Sequence, residues 1–183
     1  MKNDNLTETF VSSEEIWKGR LLHVFCDTVE LPNGKRSTRE FIKHNGAVAV
    51  VPIDENGDAY MVRQYRHAVG RVTLEIPAGK IDPGEEPLAA AGRELSEETG
   101  LLDATYEHIG NLLPSVAYTS EVIYMYIARG FTAGRQHTDP DEFVDVVKIP
   151  LADLADMVMS GQIEDSKTQA AILKAYLIEN GNK

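Results

Sequence analysis

Apolar residues along most of this chain alternate with polar ones or gather in short blocks, the spacing of strands; in three stretches they switch to helical spacing. The first twelve residues are largely polar and predict a tail. From Glu14 to Ile42, the segments IWKGRLLHVFCDTVEL and STREFIKH flank a turn at Pro32-Asn33-Gly34, which predicts a small antiparallel sheet. A second block opens after Gly46 with the apolar run AVAVVPI, a buried strand, and turns at Asn56-Gly57. AYMVRQYRHAV then reads as a further strand, and in VTLEIPAG the strand-like run Val72 to Pro77 leads into a Gly/Pro turn. Pro87 to Thr99 has helical spacing, with Ala89, Ala90 and Ala91 suited to close packing, and Gly100 predicts a left-handed cap. Strands follow near 104–112, 121–129 and 143–149, and PLADLADMVMSG and SKTQAAILKAYLIEN return to helical spacing. The order strands, helix, strands, helices predicts an α/β fold with a mixed sheet between helix layers. Its organisation is a strand-rich segment over 1–45 and a main domain over 46–183.

Composition narrows the classes. The 183 residues, 43% hydrophobic and 26% charged, suffice for a sizeable core. Eighteen basic against 29 acidic residues give a net charge of −11 and leave no basic stripe. That argues against a nucleic-acid polymer as partner, but not against a small phosphorylated molecule held by a few arginines. No apolar run is long enough to span a bilayer, and MKNDNLTETFVSSEE lacks the basic start and apolar stretch of a secretory signal. The expectation is a cytoplasmic protein without a membrane partner. The single cysteine, Cys26, excludes an internal disulfide and reads as a small buried hydrophobe. None of the five histidines has metal-ligand spacing.

The chemistry concentrates in residues 79–101, GKIDPGEEPLAAAGRELSEETGL. Arg93, Glu94, Glu97 and Glu98 stand at positions i, i+1, i+4 and i+5, one side of a helix. Three carboxylates so crowded would repel one another unless divalent cations gathered there. With Gly79, Glu85, Gly100 and the aliphatic Leu95 and Leu101, the segment resembles the Nudix box at every fixed position.

That resemblance implies the α/β/α sandwich of the Nudix family, preceded here by the small N-terminal antiparallel sheet. It also implies hydrolysis of a nucleoside diphosphate linked to another group, with Mg²⁺, or Mn²⁺ in its place, as cofactor. Carried across residue by residue, Glu94 and Glu98 are the main metal ligands, joined by Glu97 and the carbonyl of Ala78. Arg93 and Glu85 brace the cluster, since crowded carboxylates need a countercharge. Relatives place a catalytic base on a later acidic loop, here HTDPDEFVDV, which offers Asp139, Asp141 and Glu142. Pro140 stands where relatives often have a second glutamate; Glu142 is favoured, with Asp141 behind it, and Glu97 and the metals are further candidates for water activation.

Within the family the chain resembles the ADP-ribose pyrophosphatase and nucleoside-diphosphate-sugar hydrolase branch. Arg66, in VRQYRHAV with Arg63, resembles an arginine that grips a substrate phosphate. Arg39 and Glu40 resemble the segment that holds the nucleoside, and Trp17 lies where relatives stack a base, although a lone tryptophan reads equally as core. ADP-ribose enzymes commonly carry a proline about fifteen residues past the box; Val116 stands there. Asp165 and Lys167 resemble a pair in the sugar hydrolases, and also read as a helix cap beside a solvated lysine. The expected activity is therefore broad hydrolysis of nucleoside diphosphate sugars including ADP-ribose, with a strict ADP-ribose enzyme or a non-catalytic nucleotide-sugar sensor as alternatives. The resemblance further implies a homodimer built through the N-terminal segment.

Overall fold

The computed structural model describes residues 6–138 and 140–181. They form two compact units: one built on the chain up to Asn45 together with Ser115–Glu121, the other on Gly46–Pro114 and Val122 onward.

In the first unit, β1 (Thr9–Lys18), β2 (His23–Glu30) and β3 (Arg36–Lys43) form an antiparallel sheet in the order β1-β2-β3. β1 begins at Thr9, inside the stretch whose polarity predicted a tail. Pairing with β2 along one edge defines it while every β1 side chain stays exposed, so hydropathy carried no signal there. Segment 115–121 adds to this unit: Ile42 donates to the Tyr118 carbonyl at 2.8 Å and accepts from Ser120 N at 3.0 Å. Cys26 is half-buried rather than buried, and free.

The second unit contains β4 (Ala47–Pro52), β5 (Asp58–Arg66), β6 (Arg71–Glu75), β7 (Ala78–Lys80), α1 (Pro87–Thr99) and β8 (Leu101–Leu102). It continues with β9 (Thr105–Leu112), β10 (Ile123–Arg129), β11 (Thr132–Ala133), β12 (Val144–Pro150), α2 (Leu151–Met159) and α3 (Ser166–Asn180). The central sheet runs β7-β4-β10-β9, with β4 and β10 parallel and the other pairings antiparallel; β12-β5-β6 forms a second sheet, and β11 pairs with β8. Alternation along β4 explains the layering. Ala47, Ala49 and Val51 pack with Ile123, Met125 and Ile127 of β10 against α2 and α3. Val48 and Val50 face the other way, onto Ala90, Ala91 and Leu95 of α1. Both faces of β4 are covered, which is why its sequence is apolar without a break. The mixed sheet thus lies between helix layers, the Nudix α/β/α arrangement that the sequence predicts.

The strand-like run Val72 to Pro77 ends as β6 at Glu75, and a separate short strand, β7, begins at Ala78, where the sequence predicts a turn. Pro77 has no N–H for a ladder; before it β6 pairs with β5, and after it β7 crosses to pair with β4. This switch of sheets delivers Ala78 and Gly79 to the side of α1. Among the described residues no helix is long and apolar enough to cross a membrane.

Candidate active site

α1 starts at Pro87, whose fixed φ suits the first helical turn, and ends at Gly100 with φ 73° and its N–H on the Ser96 carbonyl. Its 3.6-residue repeat turns Glu94 and Glu98 towards β7. Ala78 N–H donates to Glu98 Oε2 at 3.0 Å. Glu94 lies against the neighbouring Gly79, where a Cβ would overlap its carboxyl group. A glycine is needed there for space; two carboxylates can then rest on adjacent residues of one short strand.

Arg93 holds the cluster together with all five of its N–H donors. It bonds both Glu85 oxygens at 2.9 Å, Glu94 Oε1 at 2.7 Å, Glu97 Oε2 at 3.1 Å and the Lys80 carbonyl at 3.0 Å. Glu85 in turn accepts from Asp82 N, which pins the loop before the helix. The Arg93 bonds, with that backbone bond, hold the Glu85 carboxyl down at about 2. Glu98 is the opposite case. Burial, only partly offset by the Ala78 bond, and the negative charges of Glu94 and Glu142 push its carboxyl up to about 8. Glu94 is raised for the same first reason, burial, against the pull of Arg93. Among the described residues no three carboxylate, histidine or cysteine side chains form a ready-made metal cage; Glu94 and Glu97 are turned onto Arg93. A buried carboxylate with one neutral donor and two like charges nearby nonetheless suits a hard divalent cation, which would supply the missing positive charge.

Sequence reading did not find what places the acidic loop. Gly134 N–H donates to the Gly100 carbonyl at 2.7 Å, His137 N–H to the Glu97 carbonyl at 3.0 Å, and Gln136 Nε2 to the carbonyls of Glu98 and Val144. These bonds dock residues 134–137 on the carbonyl end of α1, and a Cβ on Gly100 would meet Gln136 N at 2.7 Å. Of the loop carboxylates, Glu142 is the one whose charge acts on both Glu94 and Glu98. Asp141 is exposed beside it, and Asp139 lies outside the described residues.

A second cluster forms on the β5–β6 pair. Arg66, Arg71, Thr73 and Glu75 share one face, and with Val69, Glu164, Asp165 and Lys167 they line a cleft of about 330 Å³. Glu75, almost fully buried, accepts two 2.7 Å bonds from Arg66, one of 2.6 Å from Thr73 Oγ1, and the Lys167 ammonium. Burial opposes its ionisation, but Arg66 and Lys167 prevail and hold it at about 2. Asp165 caps α3 by accepting from Thr168 N, and also binds Lys167 at 3.0 Å. The lysine is therefore not solvated: 12% of its side chain is exposed. Thr168 Oγ1 accepts from Ile76 N–H, tying this helix start to the end of β6. Arg66 keeps Nη1 without a protein partner among the described residues and stands partly exposed. Arg63 points to the other face of β5, onto Asp145. Glu75 was missed in the sequence; its signal was a lone carboxylate inside the apolar run VTLEIP.

The remaining candidates lie in the first unit. Trp17 is 54% exposed, so it is not core. The register puts it on the face of Val24, Ile42, Cys26 and Glu40, whereas Arg39 sits opposite Asp27 on the other face. Arg39 is tied to Glu8, to Ser37 Oγ and to the Thr38 carbonyl.

Comparison with known proteins agrees with this architecture. The NUDIX domain profile matches residues 43–170, and that of the nucleoside diphosphate sugar hydrolase N-terminal domain matches residues 8–42. The chain is 38% identical to an ADP-ribose pyrophosphatase of Bacillus subtilis over 177 residues, 96% of each chain. It is also 38% identical to a methanol dehydrogenase activator of Bacillus methanolicus over 174 residues, 94% of each. A crystal structure of an ADP compounds hydrolase superimposes with a TM-score of 0.84 at 26% identity, covering 97% of this chain and 98% of that one.

Proposed function

Because the chain belongs to the Nudix family, we propose that it hydrolyses the pyrophosphate bond of nucleoside diphosphate sugars, ADP-ribose among them, to a nucleoside monophosphate and a sugar phosphate. The observation that carries this reading is the convergence of Glu94 and Glu98 on Gly79 and Ala78 with Glu142 near both.

Glu94 and Glu98, with Glu97 and the Ala78 carbonyl, would hold Mg²⁺ or Mn²⁺. A bound cation neutralises phosphate charge and lowers the pKa of water. Arg93 and Glu85 keep the carboxylates in register. Glu142, backed by Asp141, accepts the proton of the attacking water; the new P–O bond forms as the bridging P–O bond breaks, and the bridging oxygen leaves on the other phosphate. Arg66, aligned by Glu75, offers its open Nη1 to a phosphate oxygen. The cleft beside it carries Arg66, Arg71 and Lys167 against Glu75, Glu164 and Asp165, balanced charge that suits sugar hydroxyls. This balance favours a broad sugar hydrolase over a strict ADP-ribose enzyme. Trp17 and Glu40 serve the nucleoside from one sheet face; Arg39 lies on the other, tied to Glu8, and does not join them. A homodimer formed through the N-terminal sheet accords with the exposed apolar side chains of β1, Phe10, Val11 and Ile16.

The test is a product assay with Mg²⁺ over ADP-ribose, ADP-glucose, GDP-mannose, UDP-glucose, dATP and a dinucleoside polyphosphate, with Glu98→Gln as control. Comparable turnover of several diphosphate sugars, lost in the variant, supports the reading. Cleavage of ADP-ribose alone replaces it with the strict enzyme, and binding without products replaces it with a sensor.

A further inference from the structure

Trp17 is the chain's single tryptophan and stands in the open on β1. Among the described residues its ring has no aromatic or cationic partner. Two backbone features nevertheless fix where the indole goes. The first is a bulge. Glu15 pairs with Phe25 and Trp17 with Val24, so the register slips by one residue at Ile16. In a regular strand Glu15 and Trp17 would share a face; here their partners are adjacent on β2 and point to opposite faces. The bulge therefore turns Trp17 onto the face of Glu40, as bulges re-aim side chains next to functional sites.

The second feature is Gly19. A Cβ built on this residue would overlap the six-membered end of the Trp17 indole. The backbone of Gly19 is outside the left-handed region, so conformational freedom is not what requires a glycine. Space is. Its N–H donates to the Leu22 carbonyl at 2.8 Å, which fixes the turn that carries it. The indole is seated on a backbone spot with no side chain, while more than half of the residue remains open to solvent.

We propose that Gly19 is a positioning residue for nucleoside binding: its missing side chain seats the Trp17 indole so that the open surface of the ring stacks on the substrate's base. This rests on the reading of Trp17 as the base-stacking residue. Planar stacking has a surface to use only if the ring is held, and an exposed tryptophan has several rotamers to choose from. The bulge points the residue to the Glu40 face and Gly19 leaves open the one seat that a side chain would block, so the ring can rest in its stacking position before substrate arrives, which lowers the ordering cost of binding.

The sole tryptophan makes the idea measurable, because intrinsic fluorescence reports this one ring. The experiment compares wild type, Gly19→Ala and Trp17→Ala by emission spectrum of the free protein, by quenching on titration with AMP, and by KM and kcat for ADP-ribose with Mg²⁺. Alanine fits the Gly19 backbone, so only the indole has to move. The expected result is a shifted emission spectrum and weaker AMP quenching in Gly19→Ala. KM should rise about tenfold in both variants, with kcat within about twofold, since stacking contributes binding rather than chemistry. If Trp17→Ala raises KM while Gly19→Ala changes neither spectrum nor KM, the positioning role is overturned and stacking stands. A shifted spectrum with unchanged KM in Gly19→Ala overturns it equally. If Trp17→Ala leaves KM unchanged, the stacking reading falls and the role of Gly19 with it.

Discussion

Arg66 and Glu75 meet across the β5–β6 pair through two parallel N–H···O bonds of 2.7 Å each. Glu75 stands opposite Val62, four residues back along β5 from Arg66, so the arginine lies along the sheet face to reach it. The same carboxylate receives Thr73 and Lys167, and one buried anion therefore orients two cations at the lip of a cleft.

Replacing Glu75 by glutamine leaves Arg66 without its anion and Lys167 with Asp165 alone, and the expected cost is roughly 3 kcal/mol near neutral pH. The pH dependence has a defined sign. The Glu75 carboxyl lies at about 2 in the fold against 4.5 outside it, so its contribution is present above 4.5 and lost as pH falls through 2. Urea unfolding should show the gap between Glu75→Gln and wild type closing over that window. A gap independent of pH would contradict the assignment.

Glu98 predicts the reverse trend for metal. Burial, and the charges of Glu94 and Glu142, place its carboxyl at about 8. In the metal-free chain its contribution to stability is present below 4.5 and lost as pH rises through 8. A binding cation must displace this proton. Mg²⁺ affinity should accordingly rise about tenfold per pH unit up to about 8 and then level off, with one proton released. Calorimetry in buffers of different ionisation enthalpy reads both quantities.

Gly79→Ala tests the packing of the metal face apart from its charge. The added methyl displaces the Glu94 carboxyl while the backbone of residue 79, outside the left-handed region, accepts alanine. Mg²⁺ affinity should fall at least about tenfold, and the far-UV circular dichroism should not change. Unaltered affinity would mean that Glu94 does not need to rest on β7.

Arg93→Lys keeps the charge and loses the fork. Lysine has three donors where Arg93 makes five bonds. A loss of about 2 kcal/mol in stability is expected, and Glu85, Glu94 and Glu97 should no longer act as one set. Thermal unfolding of the metal-free protein checks this, and excess Mg²⁺ should recover part of the loss.

The two loop carboxylates separate by kinetics. Glu142 acts on Glu94 and Glu98 across the site, so Glu142→Gln should lower kcat at least about 100-fold. Asp141→Asn should cost less than about tenfold. The opposite order would move the base to Asp141, and near-normal rates in both would assign water activation to the metal and Glu97.

Much of this was legible because it depends on neighbours in sequence. The box helix is bounded by Pro87 and Gly100, and its carboxylates are one turn apart, so helical geometry alone brings Arg93, Glu94, Glu97 and Glu98 to one side. The apolar run AVAVVPI likewise marked β4 as a buried strand, and the order of elements predicted a sheet between helix layers. The start of β1 was not legible, since exposed side chains left only backbone pairing to define it.

The sequence by itself determined the acidic helical face, which follows from spacing within one segment, and carried a resemblance to the Nudix box that implies the fold. Tertiary structure alone decided what those groups meet. Pro77 moves the chain from one sheet to another and so puts Ala78 and Gly79 under Glu98 and Glu94. Glu75 and Lys167 are 92 residues apart, yet share one buried ion pair. Gln136 fastens a distant loop to the carbonyl end of α1. Burial and long-range charge set whether each carboxyl is held near 2 or near 8, and neither quantity exists until the chain has folded.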